Sequence, residues 1–201
     1  FTNGNTTVYD GDSAWRSAFS TFALSSGKYY FEVKRVGSSA NMSVGIVDQS
    51  QLTGTVGTDK LQTQTRGYAY LASGQKGNSG SETSWGNAYA QNDIVGCAID
   101  LDNGKIYFSK NGAWENSGDP TSGSTGTGSM YNLTSGYDYL IGTSLYSTSA
   151  GASFNFGNGY YGTTAVTTNS GNGYAGAEGK SIFSYQPPTN YSALNTRGLN
   201  E

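Results

Sequence analysis

The stretch "DIVGCAIDLDNGKIYFSKNG", Asp93 to Gly112, constrains the fold of this chain more than any other. Apolar side chains recur at every second position on both sides of Asn103-Gly104: Val95, Cys97, Ile99 and Leu101 before it, Ile106 and Phe108 after it. A period of two gathers such residues on one face of a sheet, and Asn-Gly is the dipeptide favoured in a two-residue type I′ turn. The expected unit is a half-buried hairpin in which Asp102 faces Lys105, Leu101 faces Ile106, Asp100 faces Tyr107 and Ile99 faces Phe108. Asp100 and Asp102 then read as outward-facing turn residues, because a slip of one residue would expose Ile99, Leu101 and Phe108 together. A second Asn-Gly pair, Asn111-Gly112, marks another turn, with Trp114 just beyond it as a packing residue.

Two sharper uses of these aspartates fail on spacing. An EF-hand loop needs oxygen ligands at alternate positions and a closing glutamate, but Gly104 falls where the third ligand belongs and Asn111 where the glutamate belongs. A glycosidase needs two carboxylates about 5 to 10 Å apart around a bond. Asp100-Leu101-Asp102 instead leads into a turn, and Glu32 stands alone in its strand. The chain has no histidine, which removes Ser-His-Asp and Cys-His nucleophiles and the commonest zinc sites. The expectation is a non-enzymatic protein with no catalytic residues, no metal and no cofactor.

The same alternation marks further strands: Tyr29, Phe31 and Val33; Met42, Val44 and Ile46; Tyr139, Ile141, Thr143 and Leu145; Phe154 and Phe156. Leu, Ile, Val and Phe number only 32 in 201 residues, so the 16 Tyr and three Trp must supply much of the buried area. Thirty Gly, with abundant Ser, Thr and Asn, favour turns over helices, and no long run has helical spacing. Short strands without helical crossovers predict an all-β antiparallel sandwich. One domain over 1–185 is expected, followed by an extended arm over 186–201 that begins near Pro187-Pro188 and runs along the surface or onto a neighbour. The Gly/Ser/Thr-rich run Asn116 to Ser129 reads as a mobile loop.

Eleven basic residues against fourteen acidic ones leave no basic stripe, so nucleic acid is not an expected partner. No apolar run reaches membrane-spanning length, and membrane insertion is not expected either. The chain begins at Phe1 without Met, which reads as a processed product or a piece of something longer. Cys97 cannot form an internal disulfide and is expected to be a small buried hydrophobe. Tyr68, Tyr70, Trp85 and Tyr89 flank the glycine-rich stretch Ser73 to Ser81; they are either binding aromatics on loops or plugs at the end of the sandwich.

Taken in order, "SGKYYFEVKRV", "SVGIVD", "RGYAYLASG", "SWG", "DIVGCAIDLDNGKIYFSKNG", "LIGTSLY" and "SFNFG" resemble a SPRY domain over roughly Ser25 to Gly157. The resemblance implies a bent sandwich of two antiparallel sheets, a concanavalin-like jelly roll, without enzymatic activity, that binds protein partners through loops at one end. Positions that line the peptide pocket in such proteins match Tyr68 in "RGYAY", Tyr146 in "GTSLY" and Arg16 in "AWRSAF", with the loop beginning at Asp48 bordering the same surface. Arg16 is expected to meet an acidic or carboxylate group. This chain carries Tyr146 where peptide binders carry Trp, and its segment Gln49 to Thr65 is polar and unlike theirs.

The tail "FSYQPPTNYSALNTRGLNE" resembles the endings of SPRY-bearing bacteriophage and environmental viral proteins. That likeness implies a decoration, fibre or adhesion module at a virion surface or outside the cell. Its partners would be neighbouring virion proteins or a host surface protein or glycan, and homo-oligomerisation stays open. The alternative is a cellular SPRY adaptor that binds a short peptide of a protein partner.

Overall fold

Each alternating run becomes a strand because it has one face to bury. The structure, a computed structural model, describes residues 1–4, 6–54, 59–166 and 174–194; the end of the expected arm, 195–201, lies outside them. In chain order the strands are β1 (Thr7–Tyr9), β2 (Arg16–Leu24), β3 (Lys28–Arg35), β4 (Met42–Asp48) and β5 (Gly67–Leu71). Next come β6 (Gln75–Asn78), β7 (Ser81–Ser84), β8 (Ile94–Asp100), β9 (Lys105–Lys110), β10 (Ala113–Trp114) and β11 (Tyr131–Asn132). The last are β12 (Tyr139–Leu145), β13 (Gly151–Asn155), β14 (Tyr160–Tyr161), β15 (Thr164–Ala165) and β16 (Ser192–Ala193). Helix among the described residues is confined to short 3-10 turns.

Two sheets form the sandwich. One runs β1-β13-β3-β8-β9-β10, with β11 joined to β9 and β16 to β3; the other runs β2-β12-β4-β5-β6-β7. Among the named strands, β16 on β3 is the pair that runs parallel. The inner faces meet with the predicted period: Phe31, Val33, Val95, Cys97, Ile99 and Phe108 from one sheet, and Val44, Ile46, Tyr70, Tyr139 and Ile141 from the other. Full burial of each such side chain stabilises by about 1.5–3 kcal/mol.

The hairpin of β8 and β9 keeps its predicted faces but not its predicted register. Asp100 pairs with Lys105, Ile99 with Ile106 and Cys97 with Phe108, so the loop holds four residues, Leu101 to Gly104. Of its last two residues only Gly104 has positive φ, 62°, whereas a type I′ turn needs both. The tight turn is the other Asn-Gly pair: Lys110 faces Ala113 across Asn111 (φ 49°) and Gly112 (φ 83°). A register shifted by an even step leaves every side chain on its face, which is why the apolar pattern alone could not detect it.

The longer loop also reverses the expectation for Asp100. Its side chain is fully buried; it accepts bonds from Asn103 N at 3.0 Å and Asn103 Nδ2 at 2.8 Å and pairs with Lys28 Nζ at 2.9 Å. Asp102 accepts from Gly27 N at 2.7 Å. The first aspartate folds its own loop and the second ties that loop to the start of β3. Neither is a free turn residue.

The outer face of the first sheet is covered by the chain's own C-terminal segment. Phe183, Tyr191 and Ala193 pack on Tyr30, Ala98 and Tyr107, and β16 lies beside Tyr29 and Tyr30. The loop over 116–129, expected to be mobile, is folded against this layer. Asp119 Oδ1 accepts from Thr121 N and Oγ1, Asp119 N bonds to Thr127 O at 3.0 Å, and Tyr191 Oη donates to the Pro120 carbonyl at 2.8 Å. Polar side chains that close small rings on their own backbone give a glycine-rich loop a defined shape. No helix among the described residues is long and apolar enough to cross a membrane.

Candidate functional site

The four residues singled out in the sequence fall at two ends of one strand. Along β12, Tyr139 faces Asp48 at one end, and Leu145 faces Arg16 at the other, a run of six residue steps or about 20 Å.

The Asp48 end is built for rigidity. Asp48 is 2% exposed, caps the following 3-10 turn through Ser50 N and Oγ, and pairs with Arg66 Nε at 2.6 Å. Burial pushes its carboxyl up, but the Ser50 hydrogen bonds and Arg66 outweigh that and hold it below the usual carboxylate range. Tyr68, two pairs along the neighbouring strand, is 5% exposed, with its ring against Tyr131 and Tyr139. Tyr70 and Tyr89 are fully buried and Trp85 leans edge-on against Tyr70 at 5.3 Å, so these aromatics plug the sandwich. None of these four aromatics stands exposed on a loop.

The other end carries a cleft. Where the edge strands β1 and β2 leave the two sheets, a cavity of about 440 Å³ opens between them and the segment around Leu52 and Asp59. Val8, Phe19, Leu52 and Leu145 make its apolar walls, and exposed Phe1 and Tyr9 line it toward solvent. Arg16 stands in the wall, engaged by Asp12. Beside it, Trp15 packs on Tyr146 at 5.6 Å between ring centroids, with Lys60 Nζ 4.7 Å from the Trp15 ring. Arg16 and Tyr146 thus belong to one neighbourhood, and Tyr68 and Asp48 to another.

Two acidic groups missed by sequence reasoning complete the cleft. Asp59 is 8% exposed, and its oxygens are taken by Thr53 N, Thr53 Oγ1 and Gly54 N at 2.9–3.1 Å. Asp10 is 5% exposed; Oδ1 makes one long bond of 3.4 Å from Asp12 N, and Oδ2 has no partner among the described residues. In sequence, "YDGDS" looks like any polar turn. Asp10 directly follows β1, and its N–H bonds to the Ala150 carbonyl at 3.2 Å beside β13, a long-range docking that leaves no local signal.

Among the described residues no group of three or more His, Cys, Asp or Glu is placed to hold a metal. The cleft offers shape, apolar contact and charge. A two-layer antiparallel sandwich with such a recess at a strand edge has the form of a binding module.

Comparison with known proteins specifies the family. The SPRY domain family model matches residues 28–134, more than half of the chain, and the chain belongs to that family. The crystal structure of the SPRY domain of human HERC1 superposes with a TM-score of 0.60 at 16% identity, covering 77% of this chain and 90% of that one. In sequence, the chain is 32% identical over 100 residues to the ATP-dependent RNA helicase DDX1 of Xenopus laevis. It is also 30% identical over 101 residues to the probable helicase ddx1 of Dictyostelium discoideum. These matches cover about half of this chain and 12% of each helicase.

These relatives overturn the viral expectation. The matched proteins are eukaryotic, which argues against a virion decoration or fibre module and against a virion-surface or extracellular location, and favours a cellular SPRY interaction module. The described part of the tail that carried the viral likeness, residues 183–194, packs on the sandwich. Phe183, Tyr191 and Ala193 are buried in the outer layer, so their pattern reflects packing on β3, β8 and β9.

Proposed function

We propose that the chain is a non-enzymatic interaction module of a cellular protein, and that it holds a short peptide of a protein partner in the cleft beside β1 and β2. Membership of the SPRY family supports a protein partner. The observation that carries the placement is the preformed cleft of about 440 Å³, apolar in its walls with a few polar groups, which is the usual form of a ligand site. Arg16 forms part of its wall and Tyr146 supports the adjoining rim through Trp15, while Tyr68 and Asp48 stiffen the far end of the sheet. The RNA helicase activity named for the relatives belongs to those proteins, of which the matches cover 11–12%.

A blocked cleft tests this. Gly11 lines it, and a Cβ added there meets nothing within 4 Å, so Gly11→Trp brings a large side chain to the cleft without a clash at its root. Peptides selected from a random displayed library on the wild-type protein should lose about tenfold or more in affinity for Gly11→Trp. Equal binding to both proteins would place the site elsewhere.

A further inference from the structure

We infer that the cleft takes a cationic side chain, the Arg or Lys of a partner peptide, and that Asp10 is its counter-charge. The inference rests on the cleft being the peptide site and adds the chemistry of its occupant.

Three observations point the same way. First, the guanidinium in the wall already has a carboxylate partner: Arg16 Nη2 is engaged by Asp12, four residues earlier. The acidic group that Arg16 meets in this structure is the chain's own Asp12. Lys60, a nearby cation, lies over the Trp15 ring and does not line the cleft.

Second, Asp10 lines the cleft while nine-tenths buried, with Oδ2 unpartnered and Oδ1 held by one long bond. A buried carboxylate oxygen without a donor is costly to the free protein, and a ligand that supplies the donor recovers that cost on binding. Asp59, which also lines the cleft, has both oxygens bonded by Thr53 and Gly54 and adds negative potential there.

Third, the walls suit the rest of such a side chain. Val8, Phe19, Leu52 and Leu145 give apolar surface for a three- or four-carbon stem in the same cleft that Asp10 lines. A guanidinium, with its fork of donors, fits a carboxylate with one free oxygen and one weakly held oxygen better than an ammonium does.

Val8, Asp10, Arg16, Phe19 and Leu145 all lie outside the residues 28–134 that match the family model.

The test is a selection from a random displayed peptide library on three proteins: wild type, Gly11→Trp and Asp10→Asn. Asp10→Asn keeps the size of the side chain and an oxygen for the Asp12 N bond, and thermal unfolding of each variant checks the fold. The expected result is enrichment of Arg or Lys at one position in wild-type binders, with about tenfold or greater loss of affinity on Asp10→Asn and weakening as salt is raised. Binders that Gly11→Trp blocks but that show no basic preference, and bind Asp10→Asn equally, would overturn the cation assignment and leave the peptide cleft standing. Binders indifferent to Gly11→Trp, or a wild-type selection that yields none, would overturn both.

Discussion

The hydroxyl of Tyr161 donates to Oε2 of Glu32 at 2.6 Å, joining residues 129 positions apart in the chain. Glu32 stands on β3 and is fully buried. Its carboxylate also accepts from Ser184 N and Tyr185 N, each at 2.9 Å, and from Tyr30 Oη and Asn155 Nδ2, each at 3.2 Å. One side chain therefore fastens the C-terminal segment to the sheet that it covers.

Glu32→Gln replaces an acceptor by an amide that must point its own NH2 at N–H or O–H donors. The expected outcome is a loss of about 2–3 kcal/mol in urea unfolding, with earlier proteolysis within 174–194. Unchanged stability would show that the segment docks through Phe183 and Tyr191 alone.

Asp48 makes the fold acid-sensitive in a defined direction. Its folded-state carboxyl is held below its unfolded value, so its contribution is present above pH about 4 and lost as pH falls through the depressed folded value. Asp48→Asn should flatten the fall of Tm below pH about 4 relative to wild type in calorimetry. Parallel curves for the two proteins would assign the acid loss to other carboxylates.

Cys97, the one cysteine, is fully buried, and burial pushes its thiol well above the ordinary range. A thiol-specific disulfide reagent at pH 8 should leave the folded protein unmodified and react at the rate of global unfolding when urea is added. Rapid reaction without denaturant would mean that the sandwich opens locally between β3 and β8.

Much of the sandwich was legible before any coordinates. Phe31, Val44, Ile46, Cys97, Phe108 and Ile141 fall on the inner faces that their alternation predicts, because a period of two leaves no other way to bury them together. The hairpin shows the limit of that logic. Asn103-Gly104 has the ideal dipeptide for a two-residue turn, yet Asp100 binds Asn103 and Lys28, and that closes a four-residue loop instead. Local propensity was outweighed by the bonds of a buried aspartate, whose ion pair with Lys28 exists only once β3 lies beside β8.

The candidate site was legible only in part. Arg16 and Tyr146 are brought to one neighbourhood, but Tyr68 and Asp48 sit about 20 Å away along β12, and Asp10 went unnoticed. Sequence alone determined an all-β sandwich, its faces and its family, since these follow from patterns that repeat every second residue. The tertiary structure decided which aspartates are buried, what the C-terminal segment covers and where the cleft opens. Burial and charge pairing are set by segments far apart in the chain, and the packing of β1, β2 and the tail onto the sheets leaves no periodic trace.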